Sequence, residues 1–276
     1  MTAASDLDVH PGEHPGEEHL GEEHLGEPIL ATRGLTKAYG GLRAVDGVGL
    51  DLHAGRPHAV IGPNGAGKSS LINLISGQVA PTSGTIRLKG RDIAGLPPHK
   101  VARLGLGRSF QKTNIYPSLT CYENCWLAGQ ARLPHAMRFL RPASRYRAVA
   151  EKVDAALEAA GLAHRSGSVA AMMSYGEQRQ LEIAMVLATG PALLLLDEPM
   201  AGMGREESET VVGLLRDLCK TYPLLLVEHD MDAVFSIAHT LTVMVNGRVI
   251  ASGTVAEVRN SKLVQEAYLG DGEEKY

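Results

Sequence analysis

The sequence predicts an α/β protein with a mainly parallel sheet, an N-terminal antiparallel β subdomain and an inserted α-helical subdomain. Three observations carry that expectation. His58–Ile61 is a short apolar run leading straight into Gly62-Pro63-Asn64-Gly65-Ala66-Gly67-Lys68-Ser69, the strand, glycine loop and helix order of a phosphate site. Leu193–Leu196 and Leu224–Val227 are continuous apolar runs, as strands buried on both faces of a parallel sheet require. Between Gln111 and Ser174 the apolar residues fall at helical spacing instead.

Taken along the chain, Ile29–Lys37, Val48–Leu52 and Thr85–Lys89 read as short strands of an outer antiparallel sheet. Lys68–Ser76 continues from the glycine loop as a helix that Gly77 can end. Val149, Val153, Leu157 and Ala160 recur at helical spacing before Gly161, and Leu181, Ala184, Met185 and Ala188 do so before Gly190-Pro191. Leu241–Val245, Asn246-Gly247 and Val249–Ala251 form a hairpin signal, because Asn-Gly accepts the positive φ angles of a tight turn. The expected organisation is a tail over 1–27, a catalytic domain over 28–255 with its helical subdomain at about 112–175, and a short helical extension over 256–276.

The 276 residues suffice for a sizeable core. A formal net charge of −4 argues against nucleic acid as the main partner. No apolar run approaches the roughly 20 residues of a membrane helix, and no apolar secretory signal opens the chain. Cys121, Cys125 and Cys219 form no Cys-x-x-Cys pair. They read as buried or half-buried free thiols of a reducing cytoplasm. In the tail, His14-Pro15-Gly16-Glu17-Glu18, His19-Leu20-Gly21-Glu22-Glu23 and His24-Leu25-Gly26-Glu27 repeat with little packing material. A disordered acidic tail is the plain reading, and a weak metal-binding tract the sharper one. Arg132, Arg138, Arg141, Arg145 and Arg147 make a locally basic stretch, either a solvated helical face or a contact for anionic lipid or a partner.

Gly62–Ser69 matches G-x-x-x-x-G-K-[ST] with a strand before it and a helix after it, which gives the fold class a P-loop NTPase core. Gly62, Pro63, Asn64, Gly65, Ala66, Gly67 and Ser70 set the loop and helix start, whose backbone N–H groups surround phosphate oxygens. Lys68 is expected at the β- and γ-phosphates and the Ser69 hydroxyl on Mg²⁺. Asp197 ends an apolar strand as the second Mg²⁺-holding group, and Glu198 beside it is the expected general base. Ser174-x-x-Glu177 fits a capping box, yet capping explains neither Gly176 nor Gln178. A γ-phosphate clamp formed by Ser174 and the Gly176 backbone is the functional reading, and the two coexist.

Ser174-Tyr175-Gly176-Glu177-Gln178, set between the glycine loop and the strand ending in Asp197-Glu198, resembles the signature of the ATP-binding cassette (ABC) family. The likeness covers nearly everything from Leu30 onward. It implies that His229 touches the γ-phosphate, that Gln111 contacts Mg²⁺ and the attacking water, and that Tyr39 stacks on adenine. It also implies a head-to-tail dimer in which each signature closes on ATP held by the other subunit. Two positions depart from the usual pattern: Tyr175 replaces a glycine, and Gly204 stands where an aspartate is common. Tyr175 and the end Ala267-Tyr268-Leu269-Gly270-Asp271 are similar to the ATPases of branched-chain amino-acid and related amide importers. The expected function is therefore the ATPase of such an importer, peripheral on the cytoplasmic face of the membrane. Its implied partners are membrane-spanning permease subunits, a second ATPase subunit and, indirectly, a periplasmic binding protein. The alternative, a soluble ABC ATPase acting on DNA or ribosomes, predicts a second cassette or sustained heptads, and the sequence has neither. A GTPase would need Asn-Lys-x-Asp, which is also missing.

Overall fold

The computed structural model describes residues 26–111, 113–131 and 146–269. The His/Glu repeat up to Leu25, the basic stretch apart from Arg147, and the end from Gly270 onward lie outside the described residues. The described residues open with β1 (Leu30–Tyr39) and β2 (Leu42–Leu52), then β3 (His58–Ile61), α1 (Lys68–Ile75), β4 (Ser83–Leu88) and β5 (Arg91–Asp92). Next come α2 (Pro98–Leu104), β6 (Leu106–Arg108), α3 (Cys121–Gln130), α4 (Arg147–Ala159) and α5 (Tyr175–Ala188). The chain continues through β7 (Leu193–Asp197), α6 (Arg205–Leu218), β8 (Leu224–Val227) and α7 (Met231–Ile237). The hairpin β9 (Thr240–Val245) and β10 (Arg248–Thr254) follows, then α8 (Val255–Arg259) and α9 (Lys262–Leu269).

Among the described residues there are two sheets. One is antiparallel, in the order β2-β1-β4-β5, and the other has six strands, in the order β10-β9-β3-β8-β7-β6. Within the second sheet β9, β3, β8, β7 and β6 run parallel and only β10 reverses. The expected α/β class with an antiparallel N-terminal sheet is borne out. Side-chain alternation shows why the leucine runs are unbroken. Leu193 and Leu195 pack with α1 and the antiparallel sheet, whereas Leu194 and Leu196 pack with the helices α3 to α7 on the other face. Each strand therefore has no solvent side on which to place a polar residue.

The strand expected at Val48 begins at Leu42 instead. Register shifts between β1 and β2 near Thr32, Leu35 and Lys37 interrupt the two-residue alternation, so the pattern does not reveal the full strand. The expected hairpin turn is present, with Asn246 at φ 48° and Gly247 at φ 80°. Cys121 and Cys125 are buried on α3, and Cys219 is half-buried.

Parallel strands deliver their C-terminal ends to one edge of the sheet. The register aligns Val60 with Val227, Asp197 with Val227 and Arg108 with Leu195. The loops after β3, β6, β7 and β8 thus leave side by side, and all the expected catalytic groups ride on them.

His58, in β3, is buried with its Nε2 2.8 Å from Thr242 Oγ1. Burial pushes its imidazole down from 6.5 to about 4, opposed by a bond to the Asp51 backbone. The folded state holds it neutral where the unfolded chain takes a proton. Stability should then fall as pH drops from 6.5 towards 4, by about 3 kcal/mol at full extent, and level off below. Urea midpoints across that range should drop steeply for the native chain and less for His58→Leu, and equal slopes would contradict the assignment.

Candidate functional site

The loop after β3 owes its shape to glycines at two tight places. A Cβ on Gly62, at φ 154°, would lie 2.1 Å from the Met244 carbonyl oxygen. One on Gly67, at φ 98°, would lie 2.3 Å from that of Ala44. Neither position admits a side chain, so the loop stays pressed against β9 on one side and β2 on the other. A cleft of about 480 Å³ opens above, lined by Leu42, Asn64, Gly65, Ala66, Gly67, Lys68, Ser69, Ser70, Glu198 and neighbouring backbone. Lys68 Nζ donates to the carbonyls of Gly62 and Pro63. Burial pushes its ammonium down, while the Glu198 and Asp197 carboxylates pull it up.

Asp197 and Glu198 end β7 at the cleft. Asp197 is buried, and its Oδ2 lies 3.3 Å from Arg108 Nη2. Burial pushes the Asp197 carboxyl up, with Arg108 the first group acting against it. Arg108 also donates to Asn73 Oδ1 at 2.9 Å and Ser76 Oγ at 2.6 Å, tying β6 to α1. Glu198 has φ 46°, a left-handed backbone that is costly for a residue with a long side chain. Gln111 Nε2 donates to Glu198 Oε2 at 2.8 Å, so these two expected catalytic residues are brought together.

Arg179, on α5, is fully buried and spends its donors on this same edge. Nε donates to the Pro199 carbonyl at 3.0 Å, and Nη2 to those of Asp197 at 3.2 Å and Glu198 at 3.0 Å. Nη1 donates to the Phe110 carbonyl and to Glu182. Glu182 in turn accepts the Phe110 N–H at 3.0 Å. One side-chain pair on α5 therefore grips the backbone just before Gln111 and on both sides of Glu198.

The other expected residues are placed differently. His229 follows β8, but its side chain is 64% exposed, with Nδ1 3.5 Å from Glu228 Oε2, and it is not among the residues lining the cleft. Glu228 is buried and accepts the N–H groups of Met200 at 3.1 Å and His229 at 3.0 Å. Burial pushes its carboxyl up, those N–H bonds acting against the shift. Ser174 caps α5 by accepting the Glu177 N–H at 3.2 Å, and Glu177 accepts the Ser174 N–H at 2.9 Å. Arg165 Nε lies 3.0 Å from Glu177. Gly176 is in the first turn of the same helix, and none of these signature residues lines this chain's own cleft. Tyr39 is half exposed at the end of β1, with Lys37 Nζ 5.0 Å from its ring centre.

Sequence reasoning missed Arg179, Glu182, Arg108 and Glu228. Arg179 and Glu182 sit at i, i+3 on α5, but Arg179 follows Glu177 and Gln178 and precedes Gln180, so the run reads as a polar helix face. For Arg108 and Glu228 the partners are brought in by the fold, and no local pattern marks them.

With this geometry in view, the likeness to known proteins is close. Residues 45–201 match the family described as ABC transporter, and residues 248–274 match that described as branched-chain amino acid ATP-binding cassette transporter. The chain is 39% identical over 257 residues to the high-affinity branched-chain amino acid transport ATP-binding protein BraF of Pseudomonas aeruginosa. It is 38% identical over 251 residues to LivG of Escherichia coli, also described as a high-affinity branched-chain amino acid transport ATP-binding protein. Each alignment covers 88% of this chain and 98% of the relative. Among solved structures, the ADP conformation of MJ1267, an ATP-binding cassette of an ABC transporter, superposes with a TM-score of 0.78 at 30% identity, covering 89% of this chain and 100% of that one. The chain belongs to the ABC transporter family, as one of its ATP-hydrolysing cassette subunits.

Proposed function

We propose that this chain powers an importer of branched-chain amino acids or a related small polar nutrient through ATP-driven closure of a cassette dimer. The observation that carries the nutrient class is the match at residues 248–274, a segment outside the cassette match at 45–201. The nutrient passes through separate membrane-spanning permease subunits, fed by a periplasmic binding protein, and the chain sits peripherally on the cytoplasmic face. In support, no helix among the described residues is long and apolar enough to cross a membrane.

In this reading the N–H groups from Gly62 to Ser70 and the Lys68 ammonium hold the ATP phosphates, and Tyr39 packs on adenine. Ser69, Asp197 and Gln111 supply hard oxygen donors that suit Mg²⁺, which needs few protein ligands beside phosphate and water. Mg²⁺ bound there would neutralise charge developing on the phosphate oxygens. Glu198 is the general base that takes the proton of the attacking water, and Gln111 orients both. His229 turns from solvent towards the γ-phosphate as the dimer closes. Ser174 and Gly176 clamp the γ-phosphate of the ATP held by the partner subunit, with Glu177 fixing the turn. The cassette domain spans 28–255, its helical subdomain about 112–175, and the movement of that subdomain on closure pulls on the permease.

Glu198→Gln should bind ATP, lose hydrolysis by at least about a hundredfold and accumulate as a dimer in gel filtration. A monomer that hydrolyses at the native rate would remove Glu198 from the role of base. Lys68→Ala should lose ATP binding by equilibrium dialysis, and cells carrying only that copy should lose uptake of labelled leucine, isoleucine and valine. Native uptake of all three alongside lost ATP binding would rule out the nutrient class.

A further inference from the structure

The N–H of Gly176, in the first turn of α5, donates to Glu207 Oε1 at 3.0 Å. A backbone amide carries a single hydrogen, so it serves one good acceptor at a time. The contact is broader than one bond. A Cβ on Gly176 would lie 3.1 Å from the same oxygen and 3.2 Å from both Cβ and Cδ of Glu207, so the carboxylate side chain lies against the glycine itself. The two amides that follow are committed elsewhere: Glu177 N–H to Ser174 Oγ, and Gln178 N–H to the Ser174 carbonyl at 2.9 Å.

Glu207 belongs to the first turn of α6, and the N-cap of that helix, Gly204, makes no side-chain capping bond. Its carboxylate thus belongs to the first turn of α6 and lies against the first turn of α5, where the helix dipole favours an anion. The same signature turn is tied a second time to the segment joining Glu198 to α6, by the Tyr175 hydroxyl donating to the Ala201 carbonyl at 3.3 Å.

We propose that Glu207 is the resting occupant of the signature amide, and that closure of the dimer exchanges its carboxylate for the γ-phosphate of the partner-held ATP. This rests on the reading of Ser174 and Gly176 as a clamp acting across the dimer. The exchange breaks one N–H to carboxylate bond and makes one N–H to phosphate bond, and no proton moves. Both acceptors are oxyanions, so the amide keeps its kind of partner. The carboxylate has to swing off because the N–H cannot serve both, and because two anions on one helix start repel. Glu207 thus competes with ATP for closure and raises the nucleotide concentration at which the signature engages.

The test is sedimentation velocity of the full-length Glu198→Gln chain over a series of ATP concentrations, with Glu207 intact, Glu207→Gln and Glu207→Ala. Half-dimerisation should need about tenfold less ATP in the Ala variant, the scale of a lost hydrogen bond to a charged group. The Gln variant, a neutral and weaker competitor, should shift in the same direction by less. ATP affinity of the dilute monomer should be the same in all three, placing the effect at closure. Unchanged or weaker dimerisation in both variants, with thermal midpoints near the parent's, would overturn the exchange. Should the Ala variant unfold, the direction of the Gln shift decides alone. If no version dimerises at saturating ATP, the clamp across the dimer itself falls, and the exchange falls with it.

Discussion

The guanidinium of Arg179 is the contact on which the catalytic edge depends. Taking a guanidinium out of water costs several kcal/mol, and here that cost is offset by Glu182 and by carbonyls of Phe110, Asp197, Glu198 and Pro199. These carbonyls lie at or just beyond the end of β7, or lead into Gln111. Buried carbonyls left without donors would each cost about 1–3 kcal/mol. The same bonds hold Glu198 at φ 46°. A strained backbone of this kind persists only when its surroundings over-determine it. Glu198 is pinned from one side by its N–H on the Val227 carbonyl at 2.8 Å and from the other by Arg179 on its own carbonyl.

This arrangement gives α5 two duties. Its N-cap and first turn carry Ser174 and Gly176, which do not line this chain's own cleft. One turn further on, Arg179 reaches inward to the loops carrying Glu198 and Gln111. The helix that carries the signature turn is thus joined to the Glu198 backbone by the buried Arg179 side chain, and to the segment after Glu198 by Tyr175 and Gly176. Arg108 adds a second brace between β6, α1 and Asp197. Glu228 adds a third, joining the Met200 and His229 backbones.

Much of this was legible in the sequence. The glycine loop carries its own context, and Leu193–Leu196 and Leu224–Val227 announce strands buried on both faces. Asn246-Gly247 announces its turn by the φ angles it needs. What escaped was set by tertiary contact. β2 is longer than its alternation suggests because bulges break the pattern. β6, with only Leu106–Arg108, is too short to show a period. Arg179 sits mid-helix, where a polar residue ordinarily reads as surface, and only the fold turns it inward. Glu198 could be picked out by its place after a leucine strand, whereas its strained backbone and the groups that hold it could not.

Arg179→Lys tests this account most directly, since lysine keeps the charge beside Glu182 but cannot reach four carbonyls with one ammonium. The measurement is single-turnover hydrolysis of prebound ATP by the full-length chain. ATP binding should stay within a few-fold of native and hydrolysis should slow by about a hundredfold, the scale expected when a catalytic group is misplaced by about 1 Å. Hydrolysis at the native rate in a folded Arg179→Lys protein would contradict it.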